Sequence, residues 1–195
     1  MKGLRAAIVI VLIAGALQAC NNRHPQNYNT PLATDSDGDT TPDTARKLHM
    51  MIDTSDTQFA IAAMNGGTTE VALGRLAIKN GKSREVKNFG AMMVKDHGKA
   101  NVKLMKLIKD KNITLPSLPE KQEQALIGDL SQKTGSDFDK AYVKAMADDH
   151  KQDVQEFTAA SKKLQDPDLK NFAIKTLPVI QNHLDKINAI KDGMK

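Results

Sequence analysis

Four stretches of the chain place an apolar residue at every third or fourth position, and long helices packed side by side are what can bury such stripes. The first stripe is Phe59, Ala63, Gly66, Glu70, Leu73 and Ala77. It starts near Ser55 or Asp56, either of which suits an N-cap, and runs to Asn80, where Gly81 can end a helix. The second follows Ser83 and continues to Lys111, with Val86, Phe89 or Gly90, Met93, His97, Ala100, Leu104 and Leu107. The third, over 136–165, carries Val143, Met146, His150, Asp153 or Val154, Phe157 and Leu164. Beyond the turn Asp166-Pro167-Asp168 lies the fourth, over 168–192, with Leu169, Ala173, Thr176, Ile180, His183, Ile187 and Ile190. Pro178 falls inside that last helix and is expected to kink it. Runs of β-branched or aromatic residues are few and tryptophan is absent, so little in the composition argues for strands.

The connections set the topology. Short turns at Gly81 and Pro167 make two antiparallel pairs, 55–80 with 84–111 and 136–165 with 168–192. Between the pairs, Pro116 and Pro119 interrupt the pattern, and a short amphipathic helix over 120–133, stopped by Gly135, fills the crossover. The expected fold is therefore an all-α four-helix bundle over 51–195, with one extra short helix in the crossover between helices 2 and 3.

Each stripe also carries one residue out of keeping with a dry core: Glu70, His97, His150 and His183. Two of these histidines stand in the same repeated pattern, aromatic-x3-Met-x2-Asp-His: Phe89, Met93, Asp96, His97 and Tyr142, Met146, Asp149, His150. His150 and His183 lie nearly level on either side of the Pro167 turn. Glu70 and His97 differ by roughly 4–5 Å in height about a turn centred near Lys82, just under one helical turn. One histidine on an apolar stripe is ordinarily a hydrogen-bonded core residue. Three histidines and a carboxylate, one per helix at similar heights, point to a shared ion, because each alone costs a few kcal/mol to bury unpaired. Three nitrogens and one oxygen suit zinc, copper or iron. The competing expectation is a buried hydrogen-bond network with no metal. Asp96 and Asp149 are placed to orient imidazoles from outside the ligand set. Met93 and Met146 read as core filling, with thioethers that would suit copper(I).

The N-terminus indicates where the chain resides. Lys2 and Arg5 precede an apolar run from Ala6 to Leu17, the layout of an export signal over 1–19 and too short to span a bilayer. It ends in Leu17-Gln18-Ala19-Cys20, which resembles the lipobox of bacterial lipoproteins. That resemblance implies cleavage before Cys20, the chain's single cysteine, and lipidation of its thiol. Asn21 and Asn22 follow in place of the Asp that retains some lipoproteins in the inner membrane, so the expected address is the outer membrane, facing the periplasm. Residues 20–50 read as a tether, rich in Asn, Asp, Ser, Thr and Pro. Its acidic stretch from Asp35 to Asp39 falls short of a complete calcium loop: Thr40 stands where the turn glycine belongs and Arg46 where the closing glutamate belongs.

The segments EVALGRLA (70–77), VKNFGAMMVKDHGKA (86–100), FDKAYVKAMADDH (138–150) and LKNFAIKTLPVIQNHL (169–184) resemble the bacterial envelope family known as domain of unknown function 4142. The resemblance spans about residues 52 to 192 and implies a ferritin-like bundle and an envelope location, but no reaction. True di-iron bundles use four carboxylates, two of them in Glu-x-x-His motifs. Here the residues three before His97, His150 and His183 are Val94, Ala147 and Ile180, so a mononuclear site is expected and a di-iron centre is not.

Three function classes follow: a metal-binding or buffering envelope protein, a structural or interaction lipoprotein with an unidentified envelope partner, and, less favoured, a metal-dependent enzyme. No nucleophile elbow or phosphate loop supports hydrolase or transferase chemistry. Removing the leader with Lys2 and Arg5 lowers the formal charge from +5 to +3, and aromatics make up only 4% of the chain, so no nucleic-acid partner is expected. Replacing Cys20 with Ala should leave unprocessed precursor or release soluble protein on membrane fractionation. A variant processed and fractionating like the wild type would contradict lipidation.

Overall fold

The computed structural model describes residues 53–116 and 121–194. The leader, Cys20, the tether and its acidic stretch lie outside the described residues. Five helices follow in order: α1 Thr54–Asn80, α2 Arg84–Asp110, α3 Lys121–Ser131, α4 Gly135–Lys163 and α5 Pro167–Gly193. Among the described residues there is no β-strand beyond an isolated bridge between Gly81 and Gly135.

The starts of α1, α2 and α5 are fixed by local side chains. Ser83 caps α2 by accepting from the backbone N–H groups of Glu85 and Val86. Asp166 caps α5 by accepting from Asp168 and Leu169, with Pro167 at the first helical position. At α1 the cap is Asp53, which accepts from Ser55 N–H, rather than Ser55 or Asp56. Gly135 does not end the short helix; it opens α4 with φ 63°, a left-handed conformation natural to glycine, while α3 has already stopped at Ser131. Pro178 lies inside α5, as expected.

Asp56 is free of capping duty because it serves a longer-range purpose. Buried, it accepts from the backbone N–H groups of Gln165 (3.0 Å) and Asp166 (2.8 Å), gripping the α4–α5 turn from the start of α1. Asp139 does the same in reverse, accepting from Lys82 (2.9 Å) and Ser83 (2.8 Å) and gripping the α1–α2 turn from the start of α4. Each antiparallel pair thus locks the turn of the other. The offset that takes Asp56 to Asp139 also takes Ser83 to Asp166, Phe89 to Phe172 and Glu70 to Asp153, so the two hairpins are built on one plan.

α1 packs on α2 and α4 on α5, with α2 beside α5, α1 beside α4, and α3 laid against α1. The α1–α2 approach is close: a Cβ on Gly74 would stand 2.6 Å from the carbonyl oxygen of Gly90, and one on Gly90 would stand 2.6 Å from that of Gly74. The stripes are as read for α2, α4 and α5, apart from a few positions at partial burial. On α1 the buried line before Glu70 is Ala60, Met64 and Gly67, one position later than Phe59, Ala63 and Gly66. Phe59 and Ala63 are instead partly buried flankers, and at Gly67 a Cβ would run into the side chain of Asn101.

The core divides in two. One apolar cluster, around Leu73, Val86, Phe89, Met93, Tyr142 and Met146, fills the end near the Gly81 turn. A second, around Met64, Leu104, Ile108, Phe157, Leu169 and Ile180, fills the other end. Between them, on every long helix, falls the polar layer of Glu70, His97, His150 and His183, each no more than 7% exposed.

Candidate metal centre

The structure brings the four residues together. The ring centroids of His97, His150 and His183 lie 5.2–5.7 Å from one another. Each ring offers one nitrogen, and the three nitrogens lie within 4.8 Å of one another. Glu70 touches two of the rings, with Oε2 2.6 Å from His97 Nδ1 and Oε1 3.4 Å from His150 Nε2. Phe89 closes the layer edge-on against His150 and His183.

The outward-facing nitrogens determine where the protons sit. His150 Nδ1 is 3.1 Å from the carbonyl oxygen of Met146, which only accepts, so Nδ1 donates and Nε2 keeps its lone pair. His183 Nε2 is 3.2 Å from Asp96 Oδ2 and donates to it, leaving Nδ1 as the lone pair. That Nδ1 stands 3.3 Å from His97 Nε2. His97 therefore has two protonation patterns. With Glu70 ionised, Nδ1 donates to Glu70, and two lone pairs face each other across 3.3 Å, which a cation between them must relieve. With Glu70 protonated, it donates to His97 Nδ1, and a continuous hydrogen-bond chain runs Glu70–His97–His183–Asp96. Ligand atoms about 2.0–2.1 Å from a tetrahedral ion are roughly 3.3 Å apart, so the His97–His183 spacing fits a shared ion in the first pattern as well as the hydrogen bond of the second.

Burial sets the charges in the layer. It pushes His97 down to about 4 against the opposing pull of Asp149 and Asp96. His150 is held at about 3 by burial and by the two neighbouring imidazoles, and His183 at about 4 by burial with Asp96 partly offsetting it. All three are neutral bases near pH 7, the form a metal needs. Burial drives Glu70 well above the ordinary carboxylate range, reinforced by the charge of Asp149.

The residues expected outside the ligand set take more varied positions. Asp96 orients His183, from the neighbouring helix, rather than the adjacent His97. Met93 and Met146 are fully buried in the apolar cluster, and Met146 meets His150 through its backbone carbonyl. Asp149 is drawn inward: it forms a second group with Glu70, His150 and Asp153, each offering one atom within 4.8 Å of the others. Asp153 has no role assignable from the sequence alone. The di-iron motif puts its carboxylate three residues before a histidine; Asp153 lies three after His150, on the same face by the same spacing. Burial, with Glu70 and Asp149 beside it, raises Asp153 to about 10, and burial raises Asp149 to about 6 with His97 opposing. The hydroxyl of Tyr142 is also buried here without a hydrogen-bond partner.

Residues 41–190 match the family described as "Domain of unknown function (DUF4142)". Among solved structures, a secreted protein of DUF305 from Streptomyces coelicolor is similar with a TM-score of 0.60, covering 70% of this chain and 91% of that one at 12% identity. At that identity the likeness is one of fold. No curated protein matches the chain.

The buried carboxyls give the metal-free protein a pH signature. A carboxyl raised in the folded state holds a proton that the unfolded chain releases above about 4, so it destabilises the fold as pH rises. The depressed histidines act oppositely, destabilising the fold only as pH falls from 6.5 toward 4. Above pH 7 the carboxyls alone set the slope. The melting temperature in chelator should fall between pH 7 and pH 9, and Asp153→Asn should flatten that fall. A wild-type melting temperature that is constant or rises over this range contradicts the assignment.

Proposed function

The chain belongs to the DUF4142 family, and from that premise we propose that its bundle binds one transition metal ion between His97, His150 and His183, with Glu70 beside them. The observation that carries this reading is the convergence of the three rings, one nitrogen of each lying within 4.8 Å of the others. Each imidazole has one nitrogen committed outward, to Glu70, the Met146 carbonyl or Asp96, and turns the other toward its neighbours. Metal-binding histidines are ordinarily held in this way, with the second nitrogen fixed by a carboxylate or carbonyl. A three-nitrogen set with Glu70 or an exchangeable ligand in the fourth position suits zinc, copper or iron.

The export-type leader and the Leu17-Gln18-Ala19-Cys20 sequence support an envelope lipoprotein, tethered to the outer membrane and facing the periplasm. The secreted DUF305 protein with the same fold is in keeping with that location. No helix among the described residues is long and apolar enough to cross a membrane. In this setting the bundle serves as a metal-binding or buffering module of the envelope, or acts in envelope stress. A second reading has its own support: the hydrogen-bond chain Glu70–His97–His183–Asp96 needs no ion and suits a structural or interaction lipoprotein.

Titration of the metal-stripped protein separates the two. An ion at about a hundred times its Kd stabilises the fold by about 2.7 kcal/mol, a rise in melting temperature of roughly 5–15 °C for a domain of this size. His97→Ala or His150→Ala should remove most of that gain. Protein purified without an affinity tag that holds no metal, and whose melting temperature no transition metal raises, would leave the hydrogen-bonded reading.

A further inference from the structure

We infer that the bundle contains a second, oxygen-rich cation position, formed by Glu70, Asp149, Asp153 and His150, which takes a harder divalent cation such as Mn2+ or Fe2+. It differs in chemistry from the three-histidine position and does not depend on it. Three independent observations support it.

The first is geometric: four residues from α1 and α4 each present one ligand atom within 4.8 Å of the rest. The second is that Glu70 Oε1 and His150 Nε2 are buried with no hydrogen-bond partner, facing each other at 3.4 Å. Glu70 is 2% exposed and His150 wholly buried. Such orphaned atoms are rare in native interiors and require an account. The third is space. A cavity of about 30 Å³ lies beside two of the four, Glu70 and Asp153, and is also lined by Gly66, Gly67, His97 and Glu156. That is room for an ion or a water, which needs only about 10–15 Å³ by this measure.

The two-hairpin plan explains how the group arises. Asp153 occupies on α4 the position that Glu70 occupies on α1, so the bundle brings a carboxylate from each hairpin toward the same interior point. The histidines do not follow that plan, since His97 corresponds to Ile180 and His183 to Ala100. The carboxylate pair is thus the symmetric element of the interior and the three imidazoles an asymmetric addition. Three carboxylates with one imidazole form a hard donor set, suited to Mn2+ or Fe2+, whereas three imidazoles favour zinc or copper. Both positions draw on His150, whose Nδ1 is held by the Met146 carbonyl, leaving only Nε2 to give. They therefore exclude each other.

The test is a titration of the full mature chain, stripped of metal, with Mn2+ alone, following the loss of the free-ion electron paramagnetic resonance signal at fixed pH. Wild type and His183→Ala should each bind one Mn2+. Asp153→Asn should bind it at least tenfold more weakly while keeping Zn2+, and Zn2+ should expel Mn2+ from the wild type one for one. Circular dichroism confirms that each variant is folded, and Asp149→Asn answers the same question if Asp153→Asn is not. Undiminished Mn2+ binding by the carboxylate variants, none by the wild type, loss in His183→Ala equal to that in Asp153→Asn, or simultaneous binding of Mn2+ and Zn2+ would overturn the inference. Zn2+ binding without Mn2+ leaves the three-histidine reading intact and removes this one; Mn2+ without Zn2+ does the reverse.

Discussion

In the dry middle of the bundle, Glu70 stands 2.6 Å from His97, and much else follows from what that contact demands. A carboxyl and an imidazole at this depth cannot both be left unsatisfied, since an unpaired buried polar group costs a few kcal/mol and an unpaired charge far more. Either a proton stays between them and passes along His97 to His183 and Asp96, or a cation takes its place and frees the ring nitrogens to face it. The apolar clusters above and below supply the low dielectric that makes this choice sharp. A metal entering the layer must therefore displace a proton, which couples binding to pH and to stability.

Side chains far from the layer hold its members level. Asp56 and Asp139, each fixing the turn of the opposite hairpin, set the relative heights of the two pairs at both ends of the bundle. Gly74 and Gly90 let α1 and α2 approach closely just beyond the layer, which brings Glu70 within reach of a ring on α2. The ends of the bundle and its narrow α1–α2 contact thus govern a geometry at its centre.

Much of this is legible in the residues. Spacing of three and four places the helices to within a few positions, because the apolar stripes are long and the caps at Ser83 and Asp166 are strong local signals. The same spacing singles out Glu70, His97, His150 and His183, since an ionisable residue on a buried line is conspicuous. Asp153 does not stand out in the same way, although it lies on the stripe, because on α4 it shares that line with Val154 and its partner is a carboxylate on α1. The contacts that matter for it are between helices, which periodicity within one helix does not reveal. The stripe of α1 before Glu70 passes through Gly67, where the side chain of Asn101 on α2 occupies the space a Cβ would need, another contact between helices. Asp56 reads as a cap from local sequence and is claimed instead by a turn at the far end of the domain.

X-ray absorption at the zinc edge of the zinc-loaded protein reads the ligands of the bundle interior without intermediary. Imidazole scattering from three histidines is expected at about 2.0–2.1 Å, reduced by one ring in His183→Ala. A spectrum without imidazole scattering, or one unchanged by that substitution, would contradict a metal centre in the bundle interior.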